Sequence, residues 1–266
     1  MSFASYSAPL IIVASGGILL FNALSRCSHL QTLAFINTNY MNHPPCAEPS
    51  YPDGLFSQLE NLEIGLGFAR FQGDTLRNLL STVSRSQREK HPPPVPRPSR
   101  LKRLTITLWE IDDTLFEAYG NFLKDAGEFL EELVLDFSAR YWNDGDAYAA
   151  ARKSVDLFNV ASCLNLSMLE LRLSLPGTYY NWQWLVVHAT LSAIPPEHLP
   201  PTIKLCLWEL YPDMDPTPLV EFDQIVGHAP RVQRVVITSS TASELLHTTV
   251  CPHFVTLTSK KRLFVE

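Results

Sequence analysis

Three side chains near the carboxyl end, His247, Cys251 and His253, have the types and spacing to hold a metal. A structural zinc site needs a closed set of four ligands, no partner pair is evident, and Pro252 constrains the spacing; the stretch reads as a surface loop or terminal cap. Asn143-Asp144-Gly145-Asp146 lacks the alternating oxygen ligands and the later glutamate of a calcium loop, and reads as a turn with helix capping. In Gly65-Leu66-Gly67-Phe68, backbone N–H groups in succession could cradle a carboxylate, but four residues that follow a strand read as an ordinary turn. Lys90-x2-Pro93-x2-Pro96 fits a polyproline II ligand core and equally an inserted loop. The eight histidines stand singly, and no nucleophile is paired with a base by sequence position. Phosphate-loop, dinucleotide, nucleophile-elbow and HExxH motifs are absent. No catalytic residue, metal or cofactor is therefore predicted, and the chain is expected not to be an enzyme.

The informative signal is a repeat. Six residues with apolar side chains at positions one, four and six recur: Leu30–Phe35, Leu59–Ile64, Leu101–Ile106, Leu130–Leu135, Leu166–Leu171 and Val232–Ile237, with Thr202–Leu207 as a degenerate copy. The second apolar positions fall at 33, 62, 104, 133, 169, 205 and 235, so the period is irregular. In each copy the last two apolar residues are two apart and share one face of a strand. The alternate positions are mostly polar: Glu63, Thr105, Asp136, Glu170, Arg172, Lys204 and Thr238. Each strand is thus expected to bury one face only.

Helical spacing fills the intervals. Asp74–Arg85, Thr114–Ala126, Asp146–Ser162, Trp182–Ala193 and Pro218–Ala229 carry apolar residues three and four apart, with Asp74 as N-cap, Gly127 closing the second, and Pro218 at a helix start. Leu10–Phe21 is too short to span a bilayer and lacks a basic flank; it reads as a buried strand at Leu10–Val13, a turn, and a short helix at Ile18–Leu24. The sequon Asn165-Leu166-Ser167 falls in a predicted buried strand and would be silent in the cytosol.

His91–Pro98 cannot enter a strand or a helix interior. It explains the longest interval as an insertion at 85–100. From Arg85 to Arg103 seven Lys/Arg face one acid, whereas the whole chain carries a net charge of -6. Overall acidity excludes a globally basic nucleic-acid or membrane-surface binder, and the insertion lacks the aromatics of a single-strand binder. The 266 residues, 46% hydrophobic and 18% charged, suffice for one domain over 1–266. Five scattered cysteines without a CxxC pair point to a reducing compartment, cytoplasmic or nuclear.

Ser25-Arg26-Cys27-Ser28-His29-Leu30-Gln31-Thr32-Leu33, Leu101–Ile106 and Leu130–Leu135 resemble the leucine-rich-repeat region of F-box-like proteins, especially the divergent families of mushroom-forming fungi. The resemblance covers roughly residues 10–240 through repeat form. The repeat asparagine is not regularly present, and no F-box opens the chain; Ile194-Pro195-Pro196-Glu197 lies between a helix and a strand. The resemblance implies a substrate-receptor region, with a ubiquitin-ligase core as partner only if an F-box is supplied elsewhere.

The expected fold is an irregular α/β leucine-rich-repeat solenoid, with parallel strands on the concave face and helices behind. The alternative is a (β/α)8 barrel, disfavoured by the polar face of each strand. The expected function is a non-enzymatic protein-recognition scaffold; the alternative is a barrel-type hydrolase or isomerase with its site at the strand carboxyl ends. The expected protein-binding face comprises Thr105, Asp136, Glu170, Arg172, Lys204 and Trp208. The partner is a protein of unknown identity, with no nucleic acid and no membrane.

Overall fold

Short parallel strands lie side by side in the order in which the chain makes them. The computed structural model describes residues 10–12, 30–35, 56–65, 73–88, 100–108, 113–137, 156–173, 181–208, 215–239 and 243–266. Among these residues a nine-stranded sheet runs β1-β2-β3-β4-β5-β6-β7-β8-β9. The strands are β1 Leu10–Ile12, β2 Thr32–Phe35, β3 Asn61–Ile64, β4 Arg103–Thr107, β5 Glu132–Asp136, β6 Met168–Leu173, β7 Thr202–Leu207, β8 Arg234–Ser239 and β9 Leu263–Val265. Every neighbouring pair is parallel, and among the described residues no ladder joins β9 back to β1.

The repeat pattern sets the register. Leu33, Leu62, Leu104, Leu133, Leu169, Ile203, Val235 and Leu263 form one row across the sheet. This corrects the seventh copy: its row member is Ile203, not Leu205, so Pro200 fills the position assigned to Thr202. A shift of two residues leaves every side chain on its face, so the facing is unchanged. The turns into the strands stack by one device. Glu60 and Asn61 donate their N–H groups to the Gln31 carbonyl at 2.8 and 3.0 Å, Lys102 and Arg103 to that of Glu60, and Glu131 and Glu132 to that of Lys102. One carbonyl thus satisfies two donors of the next repeat, which the parallel ladder alone would leave unpaired.

Helices return the chain between strands: α1 Gly73–Arg88, α2 Asp113–Ala126, α3 Asn181–Ala193, α4 Thr217–His228 and α5 Val255–Ser259. In α1, Leu76, Leu79, Leu80 and Val83 are buried, the face that their spacing predicts. The first turn of α2 holds Asp113 and its last holds Lys124, both matched to the helix dipole. Gly120 of α2 lies against the chain after β5, where an added Cβ would stand 1.8 Å from the Leu157 carbonyl oxygen. Phe158 there packs on Phe116 and Tyr119, with ring centroids 5.4 and 6.2 Å apart.

One apolar cluster joins the inward strand residues to the helices, including Leu104, Leu133, Leu171, Leu207, Leu123, Val187 and Phe222. Ala34, Val134 and Val236 are also buried but stand outside it, on the opposite face of the sheet. The main apolar cluster therefore sits on the helix side.

Several expectations change. Arg85 and Arg88 belong to α1, and the Arg100 backbone N–H donates to Gln87 Oε1 at 2.7 Å. The insertion is therefore shorter than 85–100 at both ends. The helix expected to reach Ser162 is interrupted at Asn159, whose φ of 50° is left-handed, with a 3-10 turn at Val160–Ser162 following. Asn165 is exposed in a turn before β6, not in a strand, and donates to the Glu128 carbonyl at 2.7 Å. The predicted helix at 18–24, the Leu66–Phe68 part of the glycine turn, the 143–146 turn and the proline-rich 91–98 lie outside the described residues. Among the described residues no helix is long and apolar enough to cross a membrane.

Candidate functional site on the outward sheet face

Strand alternation places two rows on the face opposite the helices. The first runs Glu63, Thr105, Val134, Glu170, Lys204, Val236, Phe264; the second runs Thr107, Asp136, Arg172, Cys206, Thr238. Trp208 follows β7 with the parity of Lys204 and Cys206 and is exposed to 44%. Its N–H continues the ladder by donating to the Leu173 carbonyl at 2.8 Å.

At the centre, Arg172 bridges two strands. Its Nε donates to Glu170 Oε1 at 2.7 Å, and a terminal nitrogen lies 3.7 Å from Asp136 Oδ2. Burial alone would lower the arginine's pKa; the hydrogen bond that it donates to Glu170 and the charges of Glu170 and Asp136 outweigh it and hold the guanidinium above its usual value. The Cys206 thiol donates to the same Glu170 oxygen at 3.8 Å. Burial pushes the Cys206 thiol up, against a Thr238 hydrogen bond and the charges of Arg172 and Lys204 that pull it down. Cys206 is thus held as a thiol, a poor nucleophile. Glu170 is the junction of the group: one carboxylate accepting from an arginine and a thiol on two different strands.

Lys204 is half-buried, and among the described residues no carboxylate lies within ion-pair distance of it. Its neighbour in the row, Glu170, is engaged by Arg172. Toward the strand starts the charges pair across the ladder: Arg103 with Glu132 at 3.3 Å, and Lys102 with Glu131 at 3.8 Å. At the far edge Arg234 pairs with Glu266 at 2.7 Å while its guanidinium lies 4.8 Å from the Phe264 ring centroid.

All six residues predicted to form the protein-binding face lie on this side, but two do not present the open surface expected of them. Thr105 and Glu170 are buried, at 6% and 7% exposure. They occupy the middle of the face, where side chains of both neighbouring strands stand only about 4.8 Å away. Sequence reasoning missed Cys206, Val236 and Phe264. Cys206 and Val236 were available from strict alternation after Lys204 and Val232–Ile237; Phe264 belongs to a ninth strand that the six-residue pattern does not flag. His247 is exposed, Cys251 and His253 half-buried, and among the described residues no three metal-ligating side chains gather.

No family model matches the chain. No curated protein matches it either. Among solved structures, a sugar phosphate isomerase/epimerase from Parabacteroides distasonis is similar over 79% of each chain, at 13% identity and a TM-score of 0.29. The expectations that the chain is not an enzyme and that it is a leucine-rich-repeat, F-box-like ubiquitin-ligase adaptor are withdrawn: the matched protein is an isomerase/epimerase, and at that TM-score the likeness assigns no activity to this chain.

Proposed function

We propose that the outward face over β4–β8 is the binding surface of this protein and that its ligand is another protein. The layout of that face carries the reading. A guanidinium clamped by two carboxylates, an ammonium with no described ion pair and an exposed indole stand together on adjacent parallel strands. Trp and Arg are the side chains in which protein interfaces concentrate their binding energy, and a clamped arginine loses little freedom on binding. Behind this stands a proposed irregular solenoid of strand–helix repeats. The nine strands among the described residues and the lack of a described β9–β1 ladder support it over a closed eight-stranded barrel. Solution scattering tests this, because an open arc is longer than a barrel of equal mass. A cytoplasmic or nuclear place accords with Cys163, Cys206 and Cys251, which are all free thiols.

The functional test is a photo-crosslinking amino acid at position 208, compared with one at the exposed Glu117 of α2. Distinct adducts from position 208 are expected; identical adducts from both positions would reject the face as the binding surface.

One observation favours a second reading, a hydrolase or isomerase. Asp136 and Glu170 converge on Arg172 toward the strand carboxyl ends instead of spreading along the face. Parallel α/β proteins bind ligands at that end, where Glu170 and Asp136 supply the carboxylates. A turnover found in a panel of hydrolase and isomerase substrates, and lost in Glu170→Gln at unchanged melting temperature, would establish it.

A further inference from the structure

The outward face is not electrically uniform along its length. Both central carboxylates, Glu170 in the row through Glu63 and Lys204 and Asp136 in the row beside it, are engaged by Arg172. The acidic end of the row is Glu63 on β3; the basic end is Lys204 on β7. Beyond Lys204 the row becomes apolar, with buried Val236 and then Phe264, exposed to 42%. Along β7 the same face ends on Trp208.

We infer that the β7–β9 end of this face takes an acidic segment of a partner protein that turns at its carboxylate, with that carboxylate on Lys204 and apolar side chains on Trp208 and Phe264. This rests on the reading of the outward face as a binding surface and adds the chemistry of what binds. An ammonium that is half-buried and has no carboxylate within ion-pair distance among the described residues gains most from a partner that supplies one, and the exposed rings flanking it supply apolar area with few rotors to freeze. The backbone spacing fixes the pattern in the partner. Trp208 lies four residues from Lys204, about 13 Å, and Phe264 two strands away, about 10 Å. Trp208 lies along the strand from Lys204 and Phe264 across the sheet, at roughly a right angle, so the ligand turns at its acidic residue and carries its apolar anchors about four residues to one side of it and about three to the other. Nucleic acid fits less well. Arg172 and Arg234 are engaged by carboxylates, so among the described residues the patch offers Lys204 alone as an unengaged cation, beside Asp136 and Glu170, whereas a phosphate backbone needs several.

The test is selection from a displayed random-peptide library on the immobilised full chain, followed by fluorescence anisotropy with the synthesised winners. The expected peptides carry an acidic residue between two apolar ones at that spacing. Their affinity should fall by about tenfold or more in Lys204→Glu and in Trp208→Ala, both with unchanged melting temperatures. It should also fall as salt rises from about 50 to about 300 mM. Winners that bind through Arg172 or Glu63 and ignore Lys204 would overturn the acidic segment while leaving the binding surface standing. Winners indifferent to every outward-face substitution, or no enrichment at all, would count against both. Lys204-dependent binding of oligothymidylate in preference to the peptides would overturn the inference in favour of nucleic acid.

Discussion

The two faces of the sheet are made by the same residues of the same strands, read at alternate positions, and they obey different rules. On the helix side Leu104, Leu133, Leu169, Ile203 and Val235 form an unbroken buried row, each interchangeable in kind with the next. On the outward side the equivalent row reads Thr105, Val134, Glu170, Lys204, Val236, in which no two neighbours are alike. Stacked repeats need only apolar volume from the inward side, because dispersion and burial are non-directional. The outward side depends on which strand stands next to which, because a carboxylate is tolerated at 7% exposure only if its neighbour supplies a donor. A repeat protein can thus vary one face freely while the other is held, provided that charges are changed in pairs.

Substitution should separate the faces by size of effect. The largest losses belong inward: Leu133→Ala, Leu171→Ala and Leu207→Ala should each cost roughly 2–5 kcal/mol in chemical denaturation, through lost burial and a cavity. Equal shifts for outward residues would erase the distinction. Next comes the outward clamp. Arg172→Met leaves the Glu170 carboxylate buried with no charged donor, only the Cys206 thiol, and should cost about 2–3 kcal/mol, less than for a fully buried pair; adding Glu170→Gln should recover most of that loss. Additive losses would mean that the clamp is ornamental to stability.

A cap away from both faces should fall just below. Asp223, buried on α4, accepts the Thr256 and Leu257 N–H groups at 2.7 and 2.9 Å at the start of α5. Asp223→Ala should cost about 1–2 kcal/mol and loosen the chain end, read as faster amide exchange at 256 and 257.

A pH effect comes from the helix layer. His188 of α3 has Nδ1 2.9 Å from Glu221 and Nε2 3.0 Å from the Pro218 carbonyl. Burial lowers its pKa from 6.5, and the raising influence of Pro218 and Glu221 does not cancel it. The unfolded chain therefore binds this proton more readily than the folded one. The folded state has its full stability above the unfolded value of 6.5 and loses it as pH falls through 6.5 toward the lower folded value. His188→Gln should flatten that part of the melting-temperature profile. The smallest effect is at the acidic end of the outward row: Glu63→Ala should change stability by no more than about 0.5 kcal/mol.

Much of this was legible in the chain itself. The spacing in Leu59–Ile64 or Leu101–Ile106 placed the strands, their parallel order and the buried face, since alternation is a local property of extended backbone. The same alternation assigned Asp136, Glu170, Arg172 and Lys204 to one side. What it could not supply was contact. That Arg172 reaches both Glu170 and Asp136, that Cys206 turns its thiol to Glu170, and that Thr105 and Glu170 are covered while Trp208 is open all depend on lateral register between strands up to 42 residues apart in the row. Register is set by how the intervening helices and turns pack, so Ile203, not Leu205, meets Leu169. Periodicity alone determined which way each side chain points, because that is fixed within a strand; only the assembled sheet decided what it meets there, because charge, burial and hydrogen bonding are properties of neighbours.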